Sequence, residues 1–216
     1  MKAEDYEAWY ETAKGRRIAL AEYQALRQHL DPRPADSILD VGCGTGQFTR
    51  RFAERNRVVI GLDSDVAWLR FAASRQTHKE AYVAGDAICL PFADKSVDLS
   101  ISVAALCFVA QQRQAVLEMI RVTRRRVVLG LLNRRSPLFL AKGRDGGTGA
   151  YRGAHWHTAN EAVRLFNELP VVNIRTQTVV AFTGNNTFVH ALERLLPVSW
   201  PWGAFLVVSG DIQAEK

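Results

Sequence analysis

The sequence predicts an α/β domain in which helices cover both faces of a doubly wound, mostly parallel sheet. Short apolar runs recur at 37–41, 58–62, 81–84, 99–103 and 127–132, and continuous runs of this length suit strands buried on both faces. Stretches with helical spacing lie between them, the alternation that builds such a sheet. The first run also passes straight into Gly42, Gly44 and Gly46 before the next helical stretch, where open α/β sheets bind their ligands.

Taken in order, Ala19, Tyr23, Leu26 and Leu30 mark one face of a first helix, which Asp31-Pro32-Arg33-Pro34 ends. Phe48 and Phe52 lie one turn apart, residues 66–71 form a third helical stretch, and Val116, Met119 and Ile120 a fourth. Thr158-Ala159-Asn160-Glu161 reads as a capping box. It opens a helix with Ala162, Leu165, Phe166 and Leu169 on one face, stopped by Pro170. Alternation over 172–180 and an apolar run at 204–209 predict two closing strands paired like a hairpin.

The 216 residues, 48% apolar and 23% charged, suit one self-folding domain. We divide it into a helical cover (1–35), a ligand-binding core (36–132), a loop (133–157) and a closing helix and strands (158–216). Cys43, Cys89 and Cys107 are scattered, without paired spacing or a nearby histidine, which excludes structural zinc and points to a reducing, cytoplasmic setting. The N-terminus carries acids in place of a leader, and the most apolar stretch, 195–208, is interrupted by Pro197 and Pro201, so no membrane span is expected. Net charge is +6, with arginines grouped at 50–51, 55–57, 124–126 and 134–135. These suit solvated turns and helix faces, or alternatively a polyanion-binding surface.

The segment Ile38-Leu39-Asp40-Val41-Gly42-Cys43-Gly44-Thr45-Gly46-Gln47-Phe48 carries the chemistry. Glycines lacking Cβ let backbone amides approach a ligand closely. A dinucleotide fingerprint would need glycine at position 47, where Gln47 stands, and a Walker loop would need Gly-Lys-Ser/Thr, so diphosphate binding is disfavoured.

Asp40-Val41-Gly42-Cys43-Gly44-Thr45-Gly46 resembles the glycine-rich motif of class I S-adenosylmethionine-dependent methyltransferases. Asp63 and Ser64, within Gly61-Leu62-Asp63-Ser64, resemble that family's ribose-binding acidic position, and Asp86 with Ala87 its adenine-contacting position. Residues 90–98 and 102–108 extend the likeness to the small-molecule, quinone-biosynthesis-like branch. The resemblance covers about 36–132 and implies a Rossmann-like seven-stranded sheet, S-adenosylmethionine as cofactor and S-adenosylhomocysteine as product. It also implies cofactor contacts from Asp40, Gly42, Cys43, Gly44, Gly46, Asp63, Ser64, Asp86, Ala87 and Val103. A carboxylate at Asp63 suits two vicinal hydroxyls, although Asp there also suits a helix N-cap. Asp86 also suits ordinary turn chemistry, and the glycines a plain turn. Two departures stand out: residues 122–126 replace a Pro-Gly-Gly turn, and Cys107 stands where many relatives have His, suiting packing or catalysis.

No cysteine follows a proline and no Asn-Pro-Pro-Tyr motif follows the fourth strand. A small-molecule acceptor is therefore favoured over nucleic acid. An RNA methyltransferase using the basic surface and a non-catalytic cofactor-binding protein remain as alternatives, and the sequence does not specify an oligomeric state. Tyr6, Trp9 and Tyr10 suit either contact with the cofactor, Tyr10 in particular, or packing on the core. The glycine-rich loop ending in Tyr151, His155 and His157 suggests a lid, with Tyr151 facing the acceptor and either histidine as general base or as plain surface.

Overall fold

The computed structural model describes residues 2–54, 57–180 and 200–213. The seven-stranded sheet has the order β3-β2-β1-β4-β5-β7-β6. Its strands are β1 (Ile38–Val41), β2 (Val59–Asp63), β3 (Ala81–Ala84), β4 (Val97–Val103), β5 (Thr123–Leu132), β6 (Val171–Val179) and β7 (Phe205–Ile212). The first five are parallel, and β7 inserts antiparallel between β5 and β6. The sheet is thus mostly parallel, and the two closing strands do pair antiparallel.

Parallel strands need apolar residues on both faces, and β5 shows why. Val127 and Leu129 point into a cluster with Met119, Trp156 and Phe166, while Val128 points the other way among Leu26, Leu30, Phe48 and Phe52. The first cluster lies under α5 (Gln112–Val122) and α7 (Ala159–Arg164), the second under α2 (Ala13–Leu30) and α3 (Gln47–Ala53). Two further helices are α4 (Val66–Ser74), which packs on β2 and β3, and α1 (Ala3–Glu11), which packs on α2 and α4, and a short α6 (Pro137–Lys142) lies in the loop after β5. Burying both faces over this length is what makes the central strands rigid enough to hold a site at their ends.

Several local expectations change. The run at 81–84 forms an edge strand, partly exposed on both faces. The Pro-Gly-Gly turn is replaced by no turn: α5 passes directly into β5. Thr123 caps the junction, its Oγ1 donating to the Met119 carbonyl and meeting Ser100 Oγ at 2.5 Å. Residues 124–126 are accordingly strand, and Arg124, Arg125 and Arg126 pair with Asp98, Asp36 and Asp211. The capping box at Thr158 forms as predicted, but its helix ends at Arg164 and turns carry Leu165 to Leu169. In β6 the alternation breaks between Val172 and Arg175, where Asn173 takes φ +54° and the register shifts. Residues 55–56, part of one arginine group, and residues 195–199 of the 195–208 stretch lie outside the described residues. Among those described, no helix is long and apolar enough to cross a membrane, and no His, Cys, Asp and Glu side chains gather as a metal site.

Candidate functional site

Strand order reverses between β1 and β4, and a cleft of about 1040 Å³ opens there at the carboxyl ends of the strands. The glycine loop forms its floor. Gly42 takes φ +77°, and a Cβ there would collide with Ala105 beyond β4, so only glycine lets the two strand ends lie side by side. Gly46, the N-cap of α3 at φ +76°, does not line the cleft. It passes against the Tyr82 ring, so its part is to turn the chain into the helix.

The other predicted cofactor residues all line the cleft: Asp40, Gly42, Cys43 and Gly44 from the loop, Asp63 and Ser64 after β2, Asp86 and Ala87 after β3, and Val103 at the end of β4. Asp63 does not cap α4, since Asp65 does so by accepting from the amides of Ala67 and Trp68. Asp63 braces the floor, with Oδ2 accepting from Gly44 N–H at 2.8 Å and Oδ1 from Asp65 N–H at 2.9 Å. Asp86 accepts from Ile88 N–H at 3.1 Å, so it makes its own turn and still faces the cleft. For Tyr10 the two alternatives coincide. Its ring packs edge-on to Phe48 at 6.3 Å in the core, and its hydroxyl meets that of Tyr6 at 3.1 Å at the cleft wall.

Three buried polar side chains in the cleft have an atom without a partner: Asp40 Oδ1, Thr45 Oγ1 and Ser102 Oγ. The other Asp40 oxygen accepts from Thr49 Oγ1 at 2.7 Å. Burial pushes the Asp40 carboxyl up to about 7, and the Thr49 hydrogen bond opposes this. Orphaned polar atoms are expensive in a folded chain unless something completes them. Cys43 is held as a neutral thiol, chiefly by burial. Ala104, at φ +55°, keeps the chain in an unfavourable left-handed turn where β4 enters the cleft, its N–H donating to the Gly130 carbonyl at 2.8 Å.

The rings of His155 and His157 meet edge-on at 4.5 Å, but the loop residues do not converge on the cleft as expected. Tyr151 reaches the cleft, but His155 and His157 do not line it. His155 is exposed, with its backbone N–H donating to the Cys107 carbonyl at 2.7 Å. His157 is not surface but buried at 1% exposure, and its Nε2 pairs with Gln112 Oε1 at 3.0 Å. Burial lowers its pKa to about 4, so it stands neutral inside the fold. Cys107 packs in the core, its sulfur accepting from Leu132 N–H at 3.3 Å and its thiol pushed up by burial to about 11.

The sequence reading missed Trp68, whose ring packs tilted against that of Tyr6 at 5.2 Å, and Glu22 of α2. Lys14, Ile18 and Glu22 are spaced by four, a signal that they share one helix face. That face was overlooked beside the more apolar one carrying Leu26 and Leu30.

Residues 39–130 match a family model described as a methyltransferase domain. The biotin biosynthesis bifunctional protein BioHC of Cellvibrio japonicus is 43% identical over 101 residues, covering 44% of this chain and 20% of that protein. A demethylmenaquinone methyltransferase of Renibacterium salmoninarum is 35% identical over 91 residues, 42% of this chain and 38% of that one. The matched stretch thus spans only about a fifth to two fifths of these curated relatives. Among solved structures, a Thermotoga maritima protein described as a SAM-dependent methyltransferase, possible histamine N-methyltransferase, superposes with a TM-score of 0.78. It is 22% identical, and the superposition covers 96% of this chain and 94% of that one, a likeness of fold. Over 39–130 the chain is thus similar to a methyltransferase domain, and its sheet order and overall fold resemble those of a SAM-dependent methyltransferase.

Proposed function

We propose that the protein transfers a methyl group from S-adenosylmethionine to a small-molecule acceptor. The observation that carries this reading is the meeting, at the ends of β1 and β4, of a backbone-lined cradle with the unpaired oxygens of Asp40, Thr45 and Ser102. That donor set fits the cofactor. Asp40 suits the ammonium of its amino-acid part, the two hydroxyls suit its polar groups, Asp63 the ribose and Asp86 with Ala87 the adenine. When bound, the cofactor supplies an electrophilic methyl on a sulfonium sulfur.

The protein's own work is then alignment. Strand ends fixed in a two-sided core set the floor, and the aromatic wall of Tyr6, Tyr10 and Trp68 keeps water from it. Residues 133–157, with α6 and Tyr151 over the cleft, act in this reading as a cover that closes on the acceptor, within the one domain divided as above. A cytoplasmic setting completes the proposal.

The arginine groups support the small-molecule acceptor over RNA. Arg50, Arg124, Arg125, Arg126 and Arg134 are each ion-paired within the fold, with Glu7, Asp98, Asp36, Asp211 and Glu161. An extract of small metabolites incubated with methyl-labelled cofactor tests the reading. A labelled small product is expected. Label only in added RNA, or calorimetric binding of NAD in preference to S-adenosylhomocysteine, would overturn it.

A further inference from the structure

Beside the residues assigned to the donor, the same cleft is lined by side chains of the helices and of the loop after β5. Lys14, Ile18 and Glu22 line it from one face of α2, Tyr6 and Tyr10 from α1, and Tyr151 from the loop. Burial raises the phenol pKa of all three tyrosines, Tyr6 to about 12, and the charge of Glu22 raises each further, so the carboxyl and the three rings lie within electrostatic reach of one another.

A carboxyl set among aromatic rings is a poor place for an anion and a good one for a cation. Ring faces attract an ammonium, and a carboxylate accepts its hydrogen bonds. Burial lifts the Glu22 carboxyl to about 8, with the Arg51 charge opposing. Lys14, two turns away on α2, and Lys142 of α6 also face the cleft, as does Asp40 among the residues assigned to the donor. Alone in the cleft, Glu22 is therefore mostly protonated at neutral pH. A guest cation supplies the reason for it to ionise.

Resting on the reading of this cleft as a methyl-donor site, we propose that Glu22 selects an amine acceptor and takes the proton that its nitrogen must lose before methylation. The amine arrives as R–NH3+ beside the Glu22 carboxylate. One N–H bond breaks, the proton passes to a Glu22 oxygen, and the electron pair stays on nitrogen. That pair forms the N–CH3 bond while the S–CH3 bond breaks with its electrons to sulfur, leaving a methylammonium product and a neutral thioether. Glu22 gives its proton to water as the product departs. The transfer converts the carboxylate–ammonium pair into two neutral groups, the forms that burial favours.

The test uses the complex with S-adenosylhomocysteine, titrated by calorimetry with phenethylamine, phenethyl alcohol and 3-phenylpropionate, for wild type and Glu22→Gln. A panel of primary and secondary amines is also offered with labelled S-adenosylmethionine. Wild type is expected to bind phenethylamine at least tenfold more tightly than either analogue and to form N-methyl products. Glu22→Gln is expected to lose that preference and at least a hundredfold in transfer, while holding S-adenosylhomocysteine within twofold. Equal binding of the three probes, a preference surviving in Glu22→Gln, or no amine bound or methylated overturns the assignment while leaving the donor site intact. Failure of S-adenosylhomocysteine to bind wild type overturns the donor site and this assignment together.

Discussion

Around the glycine loop the cleft is shaped by backbone, into which the side chains of Asp40, Thr45 and Ser102 are set. Gly42 to Gly44 turn so tightly that a methyl group would collide with the neighbouring strand end, and Asp63 ties that turn to β2. Elsewhere the cleft's lining is side chains from separate elements, among them Glu22 and Lys14 from α2, Leu138 and Lys142 from α6, Tyr151 from the loop and Phe205 from β7. Backbone set by adjacent strands is rigid and tolerates little change. Side chains converging from segments far apart in sequence can be exchanged singly, and such exchange alters which molecule fits without disturbing the floor.

The largest effect is expected where that floor is filled. Gly42→Ala places a Cβ at a left-handed position against Ala105, and cofactor affinity should fall at least a hundredfold, about 2.8 kcal/mol. Melting should also shift down, since strained backbone and overpacking each cost about 1–3 kcal/mol. Unchanged calorimetric affinity would break the contrast between a backbone-shaped floor and a side-chain lining. Asp63→Ala should cost about tenfold in S-adenosylhomocysteine affinity, roughly 1.4 kcal/mol, and a loss under twofold would remove the ribose assignment.

A comparable effect follows from Asp40. Its carboxyl, raised to about 7, binds a cationic group only after losing its proton, so affinity should climb about tenfold from pH 6 to pH 8. In Asp40→Asn that slope should vanish, and a slope surviving the change would assign it to another group. His157 gives the smallest effect. Its folded pKa of about 4 lies below the unfolded value of 6.5, so the neutral ring is no burden above pH 6.5, and stability is lost as pH falls from there toward 4. His157→Gln should soften that acid-side loss of melting temperature. His155→Ala should leave the pH–rate profile unchanged, and a profile displaced by either change would restore histidine to the chemistry.

The fold was legible because its signals are local. Runs such as 127–132 must be apolar throughout to be buried on both faces, and the glycine spacing at 42–46 admits few backbone paths. The same locality misled at 122–126, where the charged run looked like a turn. There Arg125 and Arg126 find Asp36 and Asp211 across the fold and stay in the strand. It misled again at His155 and His157, which share a polar aromatic loop in sequence but face outward and into the core rather than into the cleft.

By itself, then, the sequence determined the strand–helix order, the glycine turn after β1 and the acidic residues near the carboxyl ends of β1, β2 and β3, since each depends on neighbours within a few residues. The insertion of β7 between β5 and β6 was decided only in three dimensions. So were the neutral, buried state of His157 and the gathering of Glu22 with Tyr6, Tyr10 and Tyr151. A residue's exposure and charge depend on what packs against it, and those partners are chosen by the whole core, not by the residues beside it in the chain.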